Sequence, residues 1–323
     1  MRKSRIAITL GDPAGIGPEI ICKLFLDRDF VSRFNLSVVG YNDVILSTYS
    51  NILKTNKIPE INIIEPPEFI KVSGIVGQVN KDCGRASMLF IEKACQLARK
   101  NLIDAIVTAP INKKSINLAG YKFKGHTDFL AYIFKAVNYS MLLVSDKMKV
   151  IFVTTHIPVK EVSKNLNVEK VYHTILNAYK SCRYFNIEKP VIGVCALNPH
   201  SSDEGVIGDE EDKIIKPAVL KARISDITIE GPYPSDTIFN RMLKGDFDIV
   251  VSMYHDQGMI PLKLTSFGSA VNITVGLPVI RTSVDHGTAF DIAGSNIASE
   301  KSLKRAVEVA DELLNNGRFI KSL

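Results

Sequence analysis

Short apolar runs rich in β-branched residues recur along the chain and alternate with longer amphipathic stretches. The runs are Ile6–Leu10, Leu36–Val39, Ala105–Thr108, Met141–Val144, Val150–Thr154, Val191–Ala196, Ile249–Ser252 and Asn272–Val275. Uninterrupted apolar runs of this length are typical of strands that are buried on both faces of a sheet. We therefore expect each run to form a strand of a mainly parallel sheet.

Helical periodicity fills several of the intervals between these runs. It is clearest in Ser87–Lys100, Lys170–Phe185, Glu210–Lys221 and Lys301–Leu314. Regular alternation of strand and helix predicts an α/β fold. A chain of 323 residues exceeds the usual size of one compact core, so two domains are expected.

Composition and charge narrow the class of protein. Hydrophobic residues make up 46% of the chain and charged residues 23%, and no apolar run is long enough to span a bilayer. The net charge of +6 comes from scattered lysines rather than a basic block, which argues against nucleic-acid binding and favours an anionic substrate. The five cysteines form no CxxC pair, and the first apolar stretch is too short for a signal peptide. We expect a cytoplasmic protein.

Polar motifs follow four of the predicted strands. GDPAGIGPE begins at Gly11, directly after the first run. TTH, NPH and YHDQG lie at or just after the ends of the runs that begin at residues 150, 191 and 249. In parallel α/β folds the loops that leave the carboxyl ends of the strands converge on one site. The sequence therefore predicts that these motifs share a site.

Three of the six histidines, His156, His200 and His255, lie directly after predicted strands. Three imidazoles with an open fourth position are typical of a catalytic metal site. Their spacing is not that of a local metal-binding motif. Each histidine taken alone is explained more simply as a hydrogen-bonded histidine in a loop. Asp256, beside one histidine, and Asp236 are candidates for orienting a ligand or relaying a proton, although Asp236 is equally well placed as a helix cap.

A second group of residues suits a phosphorylated ligand. Lys263, Asn272 and Arg281 lie near predicted strands in the last third of the chain. Lysine and arginine with neutral donors bind phosphate well. His126 and Thr127 lie at the predicted N-terminus of a helix, which favours anions through its dipole. Taken singly, each of these residues is explained more simply as a surface charge or a helix cap.

The glycine-rich segment GDPAGIGPE is not a dinucleotide fingerprint, because it lacks the pattern GxGxxG and contains two prolines. We expect a tight loop with its backbone near the site and with Pro18 at the first position, N1, of a helix. A nicotinamide cofactor needs another loop. The candidate is the segment Val284–Gly294 together with residue 296. Its predicted cofactor-binding residues are His286, Gly287, Asp291, Gly294 and Asn296.

Taken together, the motifs resemble the family of 4-hydroxythreonine-4-phosphate dehydrogenases, the PdxA family. The motifs are GDPAGIGPEI, GHTDFL, TTHIPVK, LNPH, SMYHDQGMIPLK and NITVGLPVIRTSVDHGTAFDIAG, and the resemblance covers nearly the whole chain. The segment HGTAFDIAG is also similar to the cofactor loop of isopropylmalate and isocitrate dehydrogenases, whose fold the family shares. The chain departs from the family at Ser201–Gly205, where members more often carry small residues and glycines.

The resemblance implies a fold and a site. The fold is two α/β/α domains of the isopropylmalate dehydrogenase type, residues 1–120 with 256–323 and residues 121–255, with the active site in the cleft between them. A divalent metal such as zinc, cobalt or magnesium would be bound by His156, His200 and His255. The phosphorylated substrate would be bound by His126, Thr127, Lys263, Asn272 and Arg281. The protein would be a homodimer whose active sites take residues from both subunits.

The implied reaction is NAD- or NADP-dependent oxidation of 4-phosphooxy-L-threonine in vitamin B6 biosynthesis. The product, 2-amino-3-oxo-4-(phosphooxy)butanoate, decarboxylates to 3-amino-2-oxopropyl phosphate. Asp256 or a metal-bound water is the candidate base, and Lys263 the candidate proton donor after decarboxylation. Two alternatives are a dehydrogenase of D-threonate or D-erythronate 4-phosphate and, more remotely, a phosphate acyltransferase. A non-catalytic metal-binding protein would not need the phosphate-directed residues.

Overall fold

The computed structural model describes residues 3–223, 228–266 and 270–316, which belong to two compact units. The first unit extends to Ala136 and includes Leu277–Asn315, and the second is Val137–Gly276 with Asn316. The domain boundaries predicted from the sequence lie earlier in the chain, at 120/121 and 255/256, and stay a prediction. The end of the predicted first domain, residues 317–323, lies outside the described residues.

The first unit is built on a parallel sheet with strands in the order β3, β2, β1, β4, β11. Its strands are β1 (Arg5–Thr9), β2 (Asn35–Val39), β3 (Ile63–Ile64), β4 (Ala105–Thr108) and β11 (Ile280–Ser283). Its helices are α1 (Gly17–Leu26), α2 (Arg28–Ser32), α3 (Asn42–Ser47), α4 (Lys81–Arg99), α5 (Lys113–Leu118), α6 (His126–Phe134) and α12 (Lys301–Asn315). The apolar residues of β1 are fully buried, as a sheet covered on both faces requires.

Helix α4 begins six residues before the predicted helix, at Lys81 rather than Ser87. The side chain of Asn80 accepts hydrogen bonds from the backbone N–H groups of Asp82 and Cys83, and so caps the helix. The first turn contains few large apolar residues because Gly84 approaches the backbone of Ser115 closely. Apolar periodicity therefore begins later than the helix itself.

The second unit combines antiparallel and parallel pairing, with strands in the order β10, β5, β6, β9, β7, β8. Its strands are β5 (Ser140–Val144), β6 (Lys149–Phe152), β7 (Val191–Cys195), β8 (Thr228–Tyr233), β9 (Ile249–Ser252) and β10 (Val271–Val275). Its helices are α7 (Val162–Asn165), α8 (Val168–Cys182), α9 (Lys216–Arg223), α10 (Ser235–Leu243) and α11 (His255–Ser266). Strand β5 is antiparallel to both of its neighbours, and the other pairs are parallel.

The predicted α/β fold with mainly parallel sheets is confirmed. Three strands escape the apolar pattern: β3 has two residues, β8 contains Gly231 and Pro232, and β11 has the buried Arg281 in its centre. Each of them lacks a continuous apolar run. No helix of residues 3–223, 228–266 and 270–316 is both long and apolar enough to cross a membrane.

Candidate active site

The three histidines singled out from the sequence follow three strands that are neighbours in the second unit. β9 pairs in parallel with β6 on one side and with β7 on the other. His156 follows β6, His200 follows β7, and His255 is the first residue of α11, which follows β9. The carboxyl ends of neighbouring parallel strands lie at one edge of a sheet. The structure thus confirms that these histidines follow strands that end at a common edge.

His156 and His255 lie side by side. Their ring centroids are 5.7 Å apart, and Nδ1 of His255 is 2.6 Å from Oδ1 of Asp256. A carboxylate on one ring nitrogen fixes the orientation of an imidazole and leaves Nε2 available as a ligand. Both rings line a cavity of about 290 Å³, together with Thr155, Ile157, Pro158, Val159, Val162, Tyr254 and Asp256.

His200 lies in a turn that begins at Pro199 and continues to Asp203. No three His, Cys, Asp or Glu side chains are grouped so that they could hold a metal ion within 3–223, 228–266 and 270–316. The structure therefore brings two of the three predicted ligands together, at His156 and His255. The ligand role of all three histidines remains a proposal.

Gln257 fixes the loops around the histidine pair, and sequence reasoning missed it. Its Oε1 accepts hydrogen bonds from the backbone N–H of Met253 at 2.6 Å and from Ser252 Oγ at 2.9 Å. Its Nε2 donates to the carbonyl of Ala196 and to Ser235 Oγ, both at 2.7 Å. One buried amide thus joins the ends of β9 and β7 to α10. Its place in YHDQG, two residues after a predicted ligand, was the available signal.

The other predicted residues of the second unit have different surroundings. Asp236 is an exposed residue in the first turn of α10, whose N-cap position is occupied by Pro234, so Asp236 is not the N-cap. Lys263 is half-buried in the last turn of α11. Asn272 lies in β10, and its buried Oδ1 has no hydrogen-bond partner among the described residues.

In the first unit, the buried cation Arg281 acts electrostatically on His126, the half-buried first residue of α6. Arg281 is 2% exposed and donates from Nη2 to Thr108 Oγ1 at 2.7 Å. Burial lowers the pKa of its guanidinium to about 9, which still leaves it charged at neutral pH. Burial, followed by the charge of Arg281, lowers the pKa of His126 well below its usual value. The group is arranged to receive an anion.

Two further features of this site favour an anion. His126 and Thr127 are the first residues of α6, and the N-cap position is Gly125, which has no side chain to cap the free backbone N–H groups. The Nε2 atom of His126 is buried and has no hydrogen-bond partner among residues that the structure describes. A buried polar atom without a partner is costly unless a ligand satisfies it.

The candidate cofactor loop, residues 284–296, lies in the first unit. Nδ1 of His286 is 3.1 Å from the carbonyl of Gly287, and its buried Nε2 has no partner within the described part of the chain. A Cβ at Gly287 would meet nothing within 4 Å, so there is open space beside it. Asp291 is exposed, and Gly294 and Asn296 both have positive φ. The loop therefore offers polar atoms around an open space.

The GDPAGIGPE segment, for which only a tight loop near the site was predicted, packs against this loop. The N–H of Ile16 donates to the carbonyl of Thr288 at 3.0 Å, and a Cβ at Gly15 would lie 2.9 Å from Cβ of Thr288. Only glycine permits this close approach. Helix α1 begins at Gly17, so Pro18 is its second residue and the predicted helix start is one residue late.

Glu19 and Lys23 hold the far end of the candidate cofactor loop, and their i, i+4 spacing was the only signal for them in the sequence. Glu19 is 1% exposed, and its Oε1 accepts from Lys23 Nζ and from the N–H of Ala298, both at 2.8 Å. Lys23 Nζ also donates to the carbonyls of Asn296 and Ala298, at 3.1 and 2.8 Å. This partly buried ion pair fixes the backbone next to Asn296.

Asp12, in the same glycine-rich segment, is expected to make stability depend on pH. Burial raises its pKa from 3.8 to about 6, against a hydrogen bond from the N–H of Ala14. The folded protein therefore holds the proton more tightly than the unfolded chain. The stabilisation is complete below pH 3.8 and is lost as the pH rises towards 6, which amounts to about 2–3 kcal/mol.

Denaturant unfolding of the wild type and of Asp12→Asn at several pH values between about 4 and 7 measures this contribution. The free energy of unfolding of the wild type is expected to fall with rising pH relative to that of the variant. Parallel pH profiles for the two proteins would contradict the assignment, whatever the offset between them.

Comparisons with known proteins identify the family of the chain. The family model described as pyridoxal phosphate biosynthetic protein PdxA matches residues 25–310. The chain belongs to the PdxA family. It is 42% identical to the 4-hydroxythreonine-4-phosphate dehydrogenase of Sulfurihydrogenibium sp., over 95% of this chain and 97% of that protein. It is also 42% identical to the D-threonate 4-phosphate dehydrogenase of Cupriavidus necator, over 95% of this chain and 96% of the relative.

Solved structures of the family share the fold over nearly the whole chain. A crystal structure of 4-hydroxythreonine-4-phosphate dehydrogenase from Klebsiella pneumoniae superposes with a TM-score of 0.85 at 38% identity. The match covers 96% of this chain and 98% of that one. As a member of the PdxA family with these relatives, the chain is an oxidoreductase.

Proposed function

We propose that the chain is a metal-dependent NAD(P) dehydrogenase that oxidises the C3 hydroxyl of 4-phosphooxy-L-threonine. The product is 2-amino-3-oxo-4-(phosphooxy)butanoate, a β-keto acid that loses carbon dioxide to give 3-amino-2-oxopropyl phosphate. The observation that carries the proposal is the buried Arg281 together with the buried Nε2 atom of His126, the first residue of α6, within an oxidoreductase of this family.

The phosphate group of the substrate is assigned to this pair. A charged guanidinium forms short, strong hydrogen bonds to phosphate oxygens, and its burial strengthens them. His126 Nε2 is buried without a partner among the described residues, so a phosphate oxygen would satisfy it. The free N–H groups at the start of α6, including that of Thr127, add further donors. Lys263 and Asn272 are proposed to bind the same substrate.

The histidine pair is assigned to a divalent metal, with His200 as the third ligand. The donor chemistry fits, since two imidazoles lie side by side at a cavity and Asp256 holds one of them by Nδ1. When bound, the metal supplies a Lewis acid that lowers the pKa of a hydroxyl, and the nicotinamide supplies the acceptor for the C3 hydride.

The chain itself orients the groups and moves the protons. Asp256 keeps the His255 ring in the tautomer that exposes Nε2, which makes it an orienting residue. Lys263 is proposed to give a proton to the carbon atom that carbon dioxide leaves. The cofactor is assigned to the 284–296 loop, where His286 Nε2 and the open space beside Gly287 suit a ligand.

A second candidate substrate is D-threonate 4-phosphate. Relatives named for this activity, including that of Cupriavidus necator, are as similar to the chain as those named for 4-hydroxythreonine 4-phosphate. The two substrates share the phosphate, the C3 hydroxyl and the carboxylate, and they differ at C2, which carries an amino group in one and a hydroxyl in the other. Family membership favours either substrate over a phosphate acyltransferase reaction.

The test is a comparison of kcat/KM for the two substrates on one preparation, with NAD and NADP in parallel, by the absorbance of the reduced nicotinamide. We expect turnover of 4-phosphooxy-L-threonine with release of carbon dioxide. Higher kcat/KM for D-threonate 4-phosphate would move the assignment to the second candidate. Absence of nicotinamide reduction with both substrates would overturn the proposal.

A further inference from the structure

Glu211 lies at the centre of a buried polar group beside the end of β7. It is fully buried, and its Oε1 accepts hydrogen bonds from the backbone N–H groups of Leu197 and Asn198, each at 2.8 Å. Its Oε2 accepts from Nδ2 of Asn198 at 2.9 Å. Three N–H donors therefore converge on one carboxylate, at the two residues that lead from β7 towards His200.

The neighbouring Glu210 extends this group to a second loop. Its Oε2 accepts from Nδ2 of Asn198 at 2.7 Å, and its Oε1 accepts from Ser163 Oγ at 2.6 Å. Ser163 belongs to α7, which follows the loop that carries His156. Asn198 and the two glutamates thus connect the chain before His200 with the chain after His156.

The packing around Asn198 leaves no room for a side chain at Gly208. A Cβ there would lie 2.6 Å from Asn198 Nδ2 and 2.8 Å from Glu210 Oε2, and φ of Gly208 is +87°. Only glycine adopts this conformation at low cost and lets the backbone approach so closely. The backbone between His200 and Glu211 therefore folds so that the carboxylates of Glu210 and Glu211 lie against Asn198.

The turn that presents His200 is held in an unfavourable backbone conformation. His200, Ser201, Ser202, Asp203 and Glu204 have φ values of 54°, 56°, 70°, 43° and 56°. Residues other than glycine adopt this left-handed region at a cost and usually singly, so a run of five needs support from its surroundings. The hydrogen bonds of Glu211 immediately before the turn, and that of Ser201 Oγ to the carbonyl of Pro232 at 3.1 Å, provide such support.

We propose that Glu211 is a positioning residue that orients His200. It acts through the backbone of Leu197 and Asn198, and Glu210 couples that segment to the chain after His156. The inference rests on the proposed function, because it gives His200 a ligand role. Burying a carboxylate costs free energy that an apolar side chain in the same place would not, which favours a role beyond packing.

The experiment compares Glu211→Ala, Glu211→Gln and the control Asp212→Asn, which makes the same charge change one residue away at a half-exposed side chain. Hydrogen–deuterium exchange of peptides covering residues 196–208 tests the hydrogen bonds from the backbone N–H groups of Leu197 and Asn198 to Glu211, and it needs no bound metal. We expect exchange at least about tenfold faster in Glu211→Ala. Glutamine keeps an oxygen for the two backbone N–H groups, so Glu211→Gln should retain much of the protection. Asp212→Asn should match the wild type.

Cobalt(II) titration of the same proteins and of His200→Ala measures the consequence for the ligand. The absorption band of the bound cobalt reports its coordination, and competition with a chelator gives the affinity. We expect Glu211→Ala to lose about 10- to 100-fold in affinity, as residues that orient ligands do, and His200→Ala to lose at least as much.

The outcomes separate the two proposals. If His200→Ala loses cobalt affinity while Glu211→Ala keeps wild-type exchange and affinity, the positioning role is overturned and the metal assignment stands. If His200→Ala binds cobalt as the wild type does, the ligand role of His200 fails, and with it the positioning role. Faster exchange and weaker cobalt binding in Glu211→Ala, with both largely restored in Glu211→Gln, support the proposal.

Discussion

Replacement of Arg281 by methionine is expected to lower kcat/KM for the phosphorylated substrate by roughly 100-fold, mainly through a higher KM. The guanidinium is the buried cation beside His126 at the start of α6, and methionine fills similar space without charge. Arg281→Lys should lose less, since it keeps the charge but not the planar pair of donors. Steady-state kinetics with varied substrate concentration measure both effects.

The dephosphorylated substrate, L-4-hydroxythreonine, is the decisive comparison for Arg281. Because the predicted loss belongs to the phosphate group, Arg281→Met should barely change the low activity on this compound. Arg5→Met is a matched control, since it removes an arginine of the same unit that pairs with Asp104 at 2.7 Å. Equal losses on the two substrates would show that Arg281 supports the fold rather than the phosphate.

Replacement of His255 by alanine is expected to remove most of the activity, with more than about a 100-fold loss in kcat, together with the bound metal. His255 lies beside His156, and Asp256 fixes its ring. Asp256→Asn should bind the metal with an affinity about 10- to 100-fold lower than that of the wild type. Metal analysis of the purified variants and kinetics measure these effects.

Metal removal from the wild type tests the same assignment without a mutation. A chelator should abolish the reaction, and added zinc or cobalt should restore it. His173→Ala is the control, because His173 is a histidine of the same unit on helix α8 and is 37% exposed. Activity that survives chelation, or a loss in His173→Ala equal to that in His255→Ala, would contradict the metal role.

The fold could be predicted from the sequence where burial alone decides it. Strands β4 and β9 coincide with the predicted runs Ala105–Thr108 and Ile249–Ser252, because a strand covered on both faces must be apolar throughout. Strand β11 was missed because the buried Arg281 interrupts its apolar pattern, and this arginine acts electrostatically on His126. The exception in the pattern thus marks a candidate functional residue.

The candidate site was predicted in its residue types but not in its supports. The residues that directly follow strands, His156 and His255 among them, could be found because topology places strand ends together. Gln257 had only its place in YHDQG as a signal and Glu211 had none, because their roles lie in hydrogen bonds to backbone groups of Ala196 and Leu197 that are distant in sequence. A buried amide or carboxylate has no periodicity by which to recognise it.

The sequence by itself determined the α/β architecture, most of the strands and the family, since apolar periodicity and long motifs are local properties of the chain. Only the tertiary structure decided which groups meet: that His156 lies beside His255, that Arg281 lies by His126, and that a left-handed turn carries His200. The physical reason is that hydrophobic burial is nearly non-directional, so a pattern suffices to predict it. Hydrogen bonds and charge pairs require particular distances and angles, which only the folded chain provides.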